Sequence, residues 1–241
     1  MTNVDTATGE VAFDLSELFF SVTDSRGFIR SANAVFSRVS GYAPEEWLDA
    51  PHNLVRHEDM PRVVFRLLWD TLKAGEPVAA YVKNRTKDGR HYWVLALAFP
   101  VGDELFSLRL KPSSALLPVV EGLYRRLLAC ERSIEPTEGR SAAIDASMQL
   151  LLDELAPLGF ADYQQFMWRA LPAEVTSRTA ELGPRHGAIR APNDPALREA
   201  HTVCNAGLAR LGMLSDRLET YESLATEYRE ATAVFASLAE E

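Results

Sequence analysis

Pro51-His52-Asn53-Leu54-Val55-Arg56-His57-Glu58-Asp59-Met60-Pro61 places two histidines, an arginine and two acids in a short polar turn between hydrophobic segments. On its C-terminal side, Val63, Val64, Phe65, Leu67, Leu68 and Leu72 recur at a 3.6-residue period, which predicts a helix over 60–74 ending at Gly75. On its N-terminal side, Pro44-Glu45-Glu46-Trp47-Leu48 reads as a helix start, with proline near the first position and acids favoured by the helix dipole. The turn therefore joins two helices and is itself too polar to be core.

Working outward, Leu18–Thr23 and Phe28–Ser31 read as paired strands around Asp24-Ser25-Arg26-Gly27, where glycine supplies positive φ. Asn33 begins a short helix with Val35, Phe36 and Val39 on one side. Beyond Gly75, three strand-like runs cover Val78–Arg85, His91–Pro100 and Glu104–Lys111, with Asp88-Gly89 and Gly102-Asp103 as turn signals. The order is β-β-α-α-α-β-β-β. From Ser114 onward strand signals stop, and Leu116–Leu128, Ala142–Leu158, Tyr163–Ala170 and Glu174–Leu182 read as helices. A final stretch over 195–238 carries Leu208, Leu211, Leu218, Tyr221, Tyr228, Phe235 and Leu238 at spacings suited to a coiled coil or bundle.

Several words of the first half are those of one family, in the same order. They are Ser31-Ala32-Asn33-Ala34-Val35-Phe36, Val39-Ser40-Gly41-Tyr42, the polar turn itself, Trp69-Asp70-Thr71-Leu72-Lys73-Ala74-Gly75-Glu76-Pro77, and Lys83-Asn84-Arg85 through Tyr92-Trp93-Val94. Over residues 15–112 the chain resembles the PAS sensory domain of bacterial aerotaxis receptors. The resemblance implies an α+β fold, a five-stranded antiparallel sheet flanked by helices. We expect an N-terminal extension over 1–13, a PAS sensor domain over 14–112, and an all-α bundle or coiled-coil domain over 113–241.

The same resemblance implies non-covalently bound FAD between the central helices and the inner face of the sheet. The positions it points to are Asn33, Arg56, His57, Asp59, Phe65 and Asn84, with Trp69 and Trp93 lining or bracing the pocket. An isoalloxazine ring suits a mostly apolar cleft with a few fixed polar partners, and both asparagines can donate and accept. Arg56 could pair with phosphate or steady a flavin anion. Local roles compete: Asn33 also fits a plain N-cap, His57 a turn-capping histidine bonded to Asp59, and the two tryptophans plain core. His52 and His91 read as exposed or structural. One word departs from the family: Val78 stands where aerotaxis receptors commonly carry a tryptophan, which changes the pocket's shape. Haem held by His57, or no cofactor at all, are the alternatives.

Composition narrows the rest. The 241-residue chain has a net charge of −9, which disfavours nucleic acid and anionic membrane surfaces as ligands. No run approaches the length of a membrane span, and no basic-then-apolar signal opens the sequence, so a cytoplasmic protein is expected. Cys130 and Cys204 have no metal-type spacing and read as buried, inert thiols. No cysteine lies in the first half, which excludes flavin–thiol photochemistry. P-loop, kinase, cyclase and nucleophile-elbow motifs are absent, and His201 lacks the surroundings of a phosphotransfer histidine. The expectation is a non-enzymatic redox or oxygen sensor that acts as a homodimer and signals to a downstream protein through its helical half.

Overall fold

The computed structural model describes residues 4–5 and 9–183. Its sheet is built from β1 (Val4–Asp5), β2 (Glu10–Val11), β3 (Leu18–Asp24), β4 (Ile29–Ala32), β5 (Val78–Arg85), β6 (His91–Val101) and β7 (Glu104–Leu110). Five strands form the expected antiparallel core in the order β4-β3-β7-β6-β5. The short β1–β2 hairpin extends it, with Glu10 pairing in parallel to His91, so the sheet is mixed. The 14–112 segment thus has the expected element order, and part of the N-terminal extension joins its sheet.

Between β4 and β5 lie α1 (Ala34–Ser40), α2 (Pro44–Trp47), a 3-10 turn at His52–Val55 and α3 (Arg62–Lys73). These cover one face of the sheet. Because strand side chains alternate, Val82, Asn84, Ala96, Ala98, Ser107 and Arg109 face these helices, whereas Tyr81, Trp93 and Leu95 face the other way. That second face is covered by α4 (Leu116–Leu155) and α5 (Tyr163–Leu182). Tyr124 Oη donates to the Tyr81 carbonyl at 3.0 Å, and its ring lies 6.2 Å from that of Trp93.

The helices after residue 112 run differently from the sequence periodicity. The first extends well past Leu128 and reverses at Gly139, where φ 85° and ψ 171° are open only to glycine. The two arms lie side by side, so that Arg126 forks onto both carboxylate oxygens of Glu154 at 2.7 and 2.8 Å. The break expected between 170 and 174 does not occur: α5 runs through Pro172, its start capped by Asp162, which accepts from the Gln165 N–H at 2.8 Å. Tyr124, Leu127, Leu151, Tyr163 and Phe166 belong to the same hydrophobic core as the sheet residues. Among the described residues, no helix is long and apolar enough to cross a membrane. Cys204, His201 and the heptad-like stretch over 195–238 lie outside the described residues; Cys130 is a half-buried free thiol.

Candidate functional site

Between the sheet and α3 lies a cavity of about 880 Å³, within the size range of pockets that hold drug-sized or cofactor-sized ligands. Its apolar wall comes from Phe65, Leu68 and Trp69 of α3, Val82 of β5, and Ala96 and Ala98 of β6. The two alanines leave the room: any larger residue on that strand face would fill it. Gly27 serves the opposite side. Its φ of +84° and its approach to Trp69, where an added Cβ would sit 3.0 Å from the indole, both require glycine.

The polar groups of the cavity come from three strands and the 3-10 turn. Asn84 is 2% exposed, near the C-terminal end of β5 opposite Tyr92. Arg109, 6% exposed, donates from Nη1 to Ser21 Oγ at 2.8 Å and meets His52 Nε2 at 2.8 Å through Nη2. Arg109 has no carboxylate partner among the described residues, and burial brings its pKa down to about 10. Burial, then the neighbouring Arg109 charge, depresses His52 to about 3. His52 is therefore neutral, accepting through Nε2 and carrying its proton on Nδ1. Beside these, fully buried Tyr92 faces the Asn84 side chain and the Arg109 charge. A buried cation with no carboxylate partner among the described residues, beside the polar side chain of Asn84, is an arrangement that a polar or anionic ligand edge would complete.

Around the mouth the lining is basic. Arg26, Arg56, Arg62, Arg66, Lys73 and Arg140 face it, with Asp70 the acid among the lining residues. Arg56 lies flat over the Phe65 ring, 3.9 Å from its centroid, and its backbone bridges to that of Asn84. Burial, and then the like charge of Arg62, lower the Arg56 pKa.

The residues expected from sequence divide into two groups. Arg56, Phe65, Trp69 and Asn84 all line the cavity. Asn33 does not: its Oδ1 accepts from the Phe36 and Phe20 N–H groups and its Nδ2 donates to the Leu18 carbonyl, so it caps α1 and ties it to β3. His57 and Asp59 sit outside the wall. His57 Nδ1 accepts from the Asp59 N–H at 3.0 Å, and the Asp59 carboxylate takes Lys83 Nζ at 2.7 Å. Trp93 packs on the opposite face against Tyr124. His52, read from sequence as exposed or structural, is instead a wall residue, and Arg109 was not singled out at all. The available signal for Arg109 was an arginine alternating with apolar residues in a strand, Leu108-Arg109-Leu110, where a charge needs a reason.

Two further carboxylates tie the helices to the cavity walls. Glu131 of α4, 1% exposed, accepts from the Arg62 and Val63 N–H groups, both at 2.9 Å, and so caps α3 from outside. Glu174 of α5, fully buried, accepts from Tyr81 Oη, from Ser114 Oγ, and from the N–H groups of Ser113 and Ser114. No group of three or more His, Cys, Asp or Glu is placed to hold a metal among the described residues.

An apolar slot, Asn84 and Arg109 at its polar side and a basic mouth could together hold a flat ring compound that carries negative charge.

Comparison with known proteins bears on the same region. Residues 29–105 match the PAS fold family. The aerotaxis receptor of Escherichia coli (strain K12) is 45% identical over 114 residues, 45% of this chain and 22% of that protein. A nitrogen fixation regulatory protein of Klebsiella pneumoniae is 32% identical over 74 residues, 31% of this chain and 15% of that protein. Among solved structures, a LOV domain of a blue-light activated histidine kinase from Erythrobacter litoralis is 19% identical, covering 39% of this chain and 94% of that one with a TM-score of 0.35. This chain spans about a fifth of the length of the aerotaxis receptor.

Proposed function

The N-terminal part of this chain is a PAS domain of the aerotaxis-receptor type, and on that premise we propose that the protein is a signal-transduction sensor that binds FAD in the cavity under α3. The observation that carries the reading is the buried Arg109, without a carboxylate partner among the described residues, at an apolar cavity of about 880 Å³. The chain acts by binding rather than by turnover, in the cytoplasm, and reports redox or oxygen state to a downstream protein through its helices as a homodimer.

A bound flavin supplies reversible uptake of electrons and protons at its ring. The chain's part is to hold and read it. Asn84 and Arg109 would meet the polar edge and Phe65 and Trp69 would cover the ring, while neutral His52 holds the Arg109 guanidinium in place. Arg56, placed over the Phe65 ring, would be available to phosphate or to the charged edge.

The strand that presents Asn84 to the cavity presents Tyr81 to Glu174 on its other face, and Glu174 holds the start of α4 at Ser113 and Ser114. The helix that presents Phe65 and Trp69 is capped by Glu131 of α4. Shifting a two-state output from mostly off to mostly on takes about 5.5 kcal/mol of differential binding. Two or three altered charged hydrogen bonds, at roughly 1.5–3 kcal/mol each, cover that.

Hydrogen exchange on the FAD-loaded protein, oxidised against chemically reduced, tests the reading. We expect changed protection at 62–66 and 113–117. Bound flavin with identical protection in both states would remove the sensing role.

A further inference from the structure

The cavity is not closed by the PAS domain alone. Arg140 and Ile144, on the second arm of α4 just past the Gly139 reversal, are part of its lining. Arg140 stands beside Arg62 of α3, and the two share one carboxylate: Glu135 takes Arg62 Nη1 at 2.5 Å and Arg140 Nε at 3.4 Å. Arg56, the third guanidinium of the group, has no carboxylate partner among the described residues and feels both Arg62 and Arg140 as like charges. The nearby Glu131 is spent on the α3 N-terminus. Two acids, Glu135 and Glu131, against three arginines still leave net positive charge at the mouth of an apolar cavity, in a chain of net charge −9. Such crowding is unfavourable unless an anion resides there.

We propose that Arg140, with Arg62, binds the phosphate of the cavity ligand, so that the helical half of the chain contributes directly to the ligand site. This rests on the flavin-nucleotide reading above and deepens it. The ligand class is a nucleotide whose ring enters the slot and whose phosphates stay at the mouth. Arg140 follows Gly139 directly, so phosphate contact bears on the joint between the two arms of α4. Ligand occupancy then acts on the helices by touching them, in addition to acting through the sheet.

The test compares binding of FAD, riboflavin and ADP to the full chain and to Arg140→Glu and Arg140→Lys. Arg140 is largely exposed, 71% for the side chain, so both variants should fold, as circular dichroism would verify. Reversing the charge should weaken FAD and ADP about tenfold or more, as expected for loss of one charge-assisted bond, leave riboflavin unchanged, and be rescued by lysine. Weakening of ADP binding by Arg140→Glu in a chain that takes up no riboflavin or FAD would uphold the phosphate site and overturn the flavin reading. FAD bound equally by the wild type and Arg140→Glu would overturn the phosphate role and leave the flavin reading standing. No binding of any of the three ligands would overturn both.

Discussion

The carboxylate of Glu131 accepts the Val63 N–H at 2.9 Å across 68 positions of sequence, and by doing so gives α3 the cap that its own N-terminal Pro61 cannot supply. A helix begins with unsatisfied N–H groups and a partial positive charge, and a buried carboxylate answers both. Glu131→Ala would leave two buried N–H groups without partners. We expect a loss of about 3 kcal/mol, or roughly 10 °C in Tm for a chain of this size. Glu131→Gln should fall between, since an amide offers one acceptor and turns a donor toward the second N–H. Thermal melts of the two variants check this; an unchanged Glu131→Ala melt would contradict the capping role.

His52 predicts an acid sensitivity. Its folded pKa, about 3, lies below the ordinary histidine value of 6.5, because burial and the Arg109 charge disfavour the imidazolium. In that window the unfolded chain binds the extra proton and the folded chain does not, so stability falls as pH falls. The contribution is fully present above the unfolded pKa and is lost as pH drops from about 6 toward 3, at up to ~1.4 kcal/mol per pH unit. His52→Gln keeps an acceptor for Arg109 and cannot titrate, so its stability in denaturant melts should decline less steeply over that range. Equal slopes would contradict the assignment.

Arg109 sets stability against binding. Replacing a buried charge that has no counter-ion among the described residues with an apolar side chain of similar length relieves desolvation. Arg109→Met should therefore melt no lower than the wild type while binding FAD at least about tenfold more weakly. Isothermal titration and melts measured together decide it. Weaker binding accompanied by a large fall in Tm would mean that the arginine is structural.

Gly27 tests the wall geometry. An alanine there would be held at positive φ and would press on Trp69 at 3.0 Å, for a cost of about 1–2 kcal/mol from the backbone alone. We expect Gly27→Ala to shift tryptophan fluorescence and weaken FAD binding. An unshifted spectrum would place Trp69 elsewhere than against Gly27.

The sheet and its flanking helices could be read from the chain because their signals are local. Val78–Arg85 is an apolar, strand-forming run that ends before the Asp88-Gly89 turn, and Asn33 stands where an N-cap belongs. Arg56, Phe65, Trp69 and Asn84 were singled out through the family resemblance, and the structure brings them to the lining of one cavity. His57, Asp59 and Asn33 share those words, yet each is engaged in local turn or cap bonds, which a sequence word does not distinguish from ligand contact. What stayed hidden was long-range. Nothing near Glu131 or Glu174 in sequence announces that each would meet backbone N–H groups 60 or more residues away. Arg109 and His52 likewise gain their meaning only from each other, 57 residues apart. The reversal at Gly139, which carries Arg140 to the cavity, depends on one residue's backbone freedom inside an otherwise helical run.

The central claim is that this cavity holds a flavin. The most direct measurement is the visible absorption spectrum of the purified full chain after incubation with FAD and removal of free ligand. The account predicts a stoichiometric flavin spectrum that is lost or much reduced in Arg109→Met. A colourless chain that retains no flavin, or a haem Soret band in the protein as isolated, would contradict it.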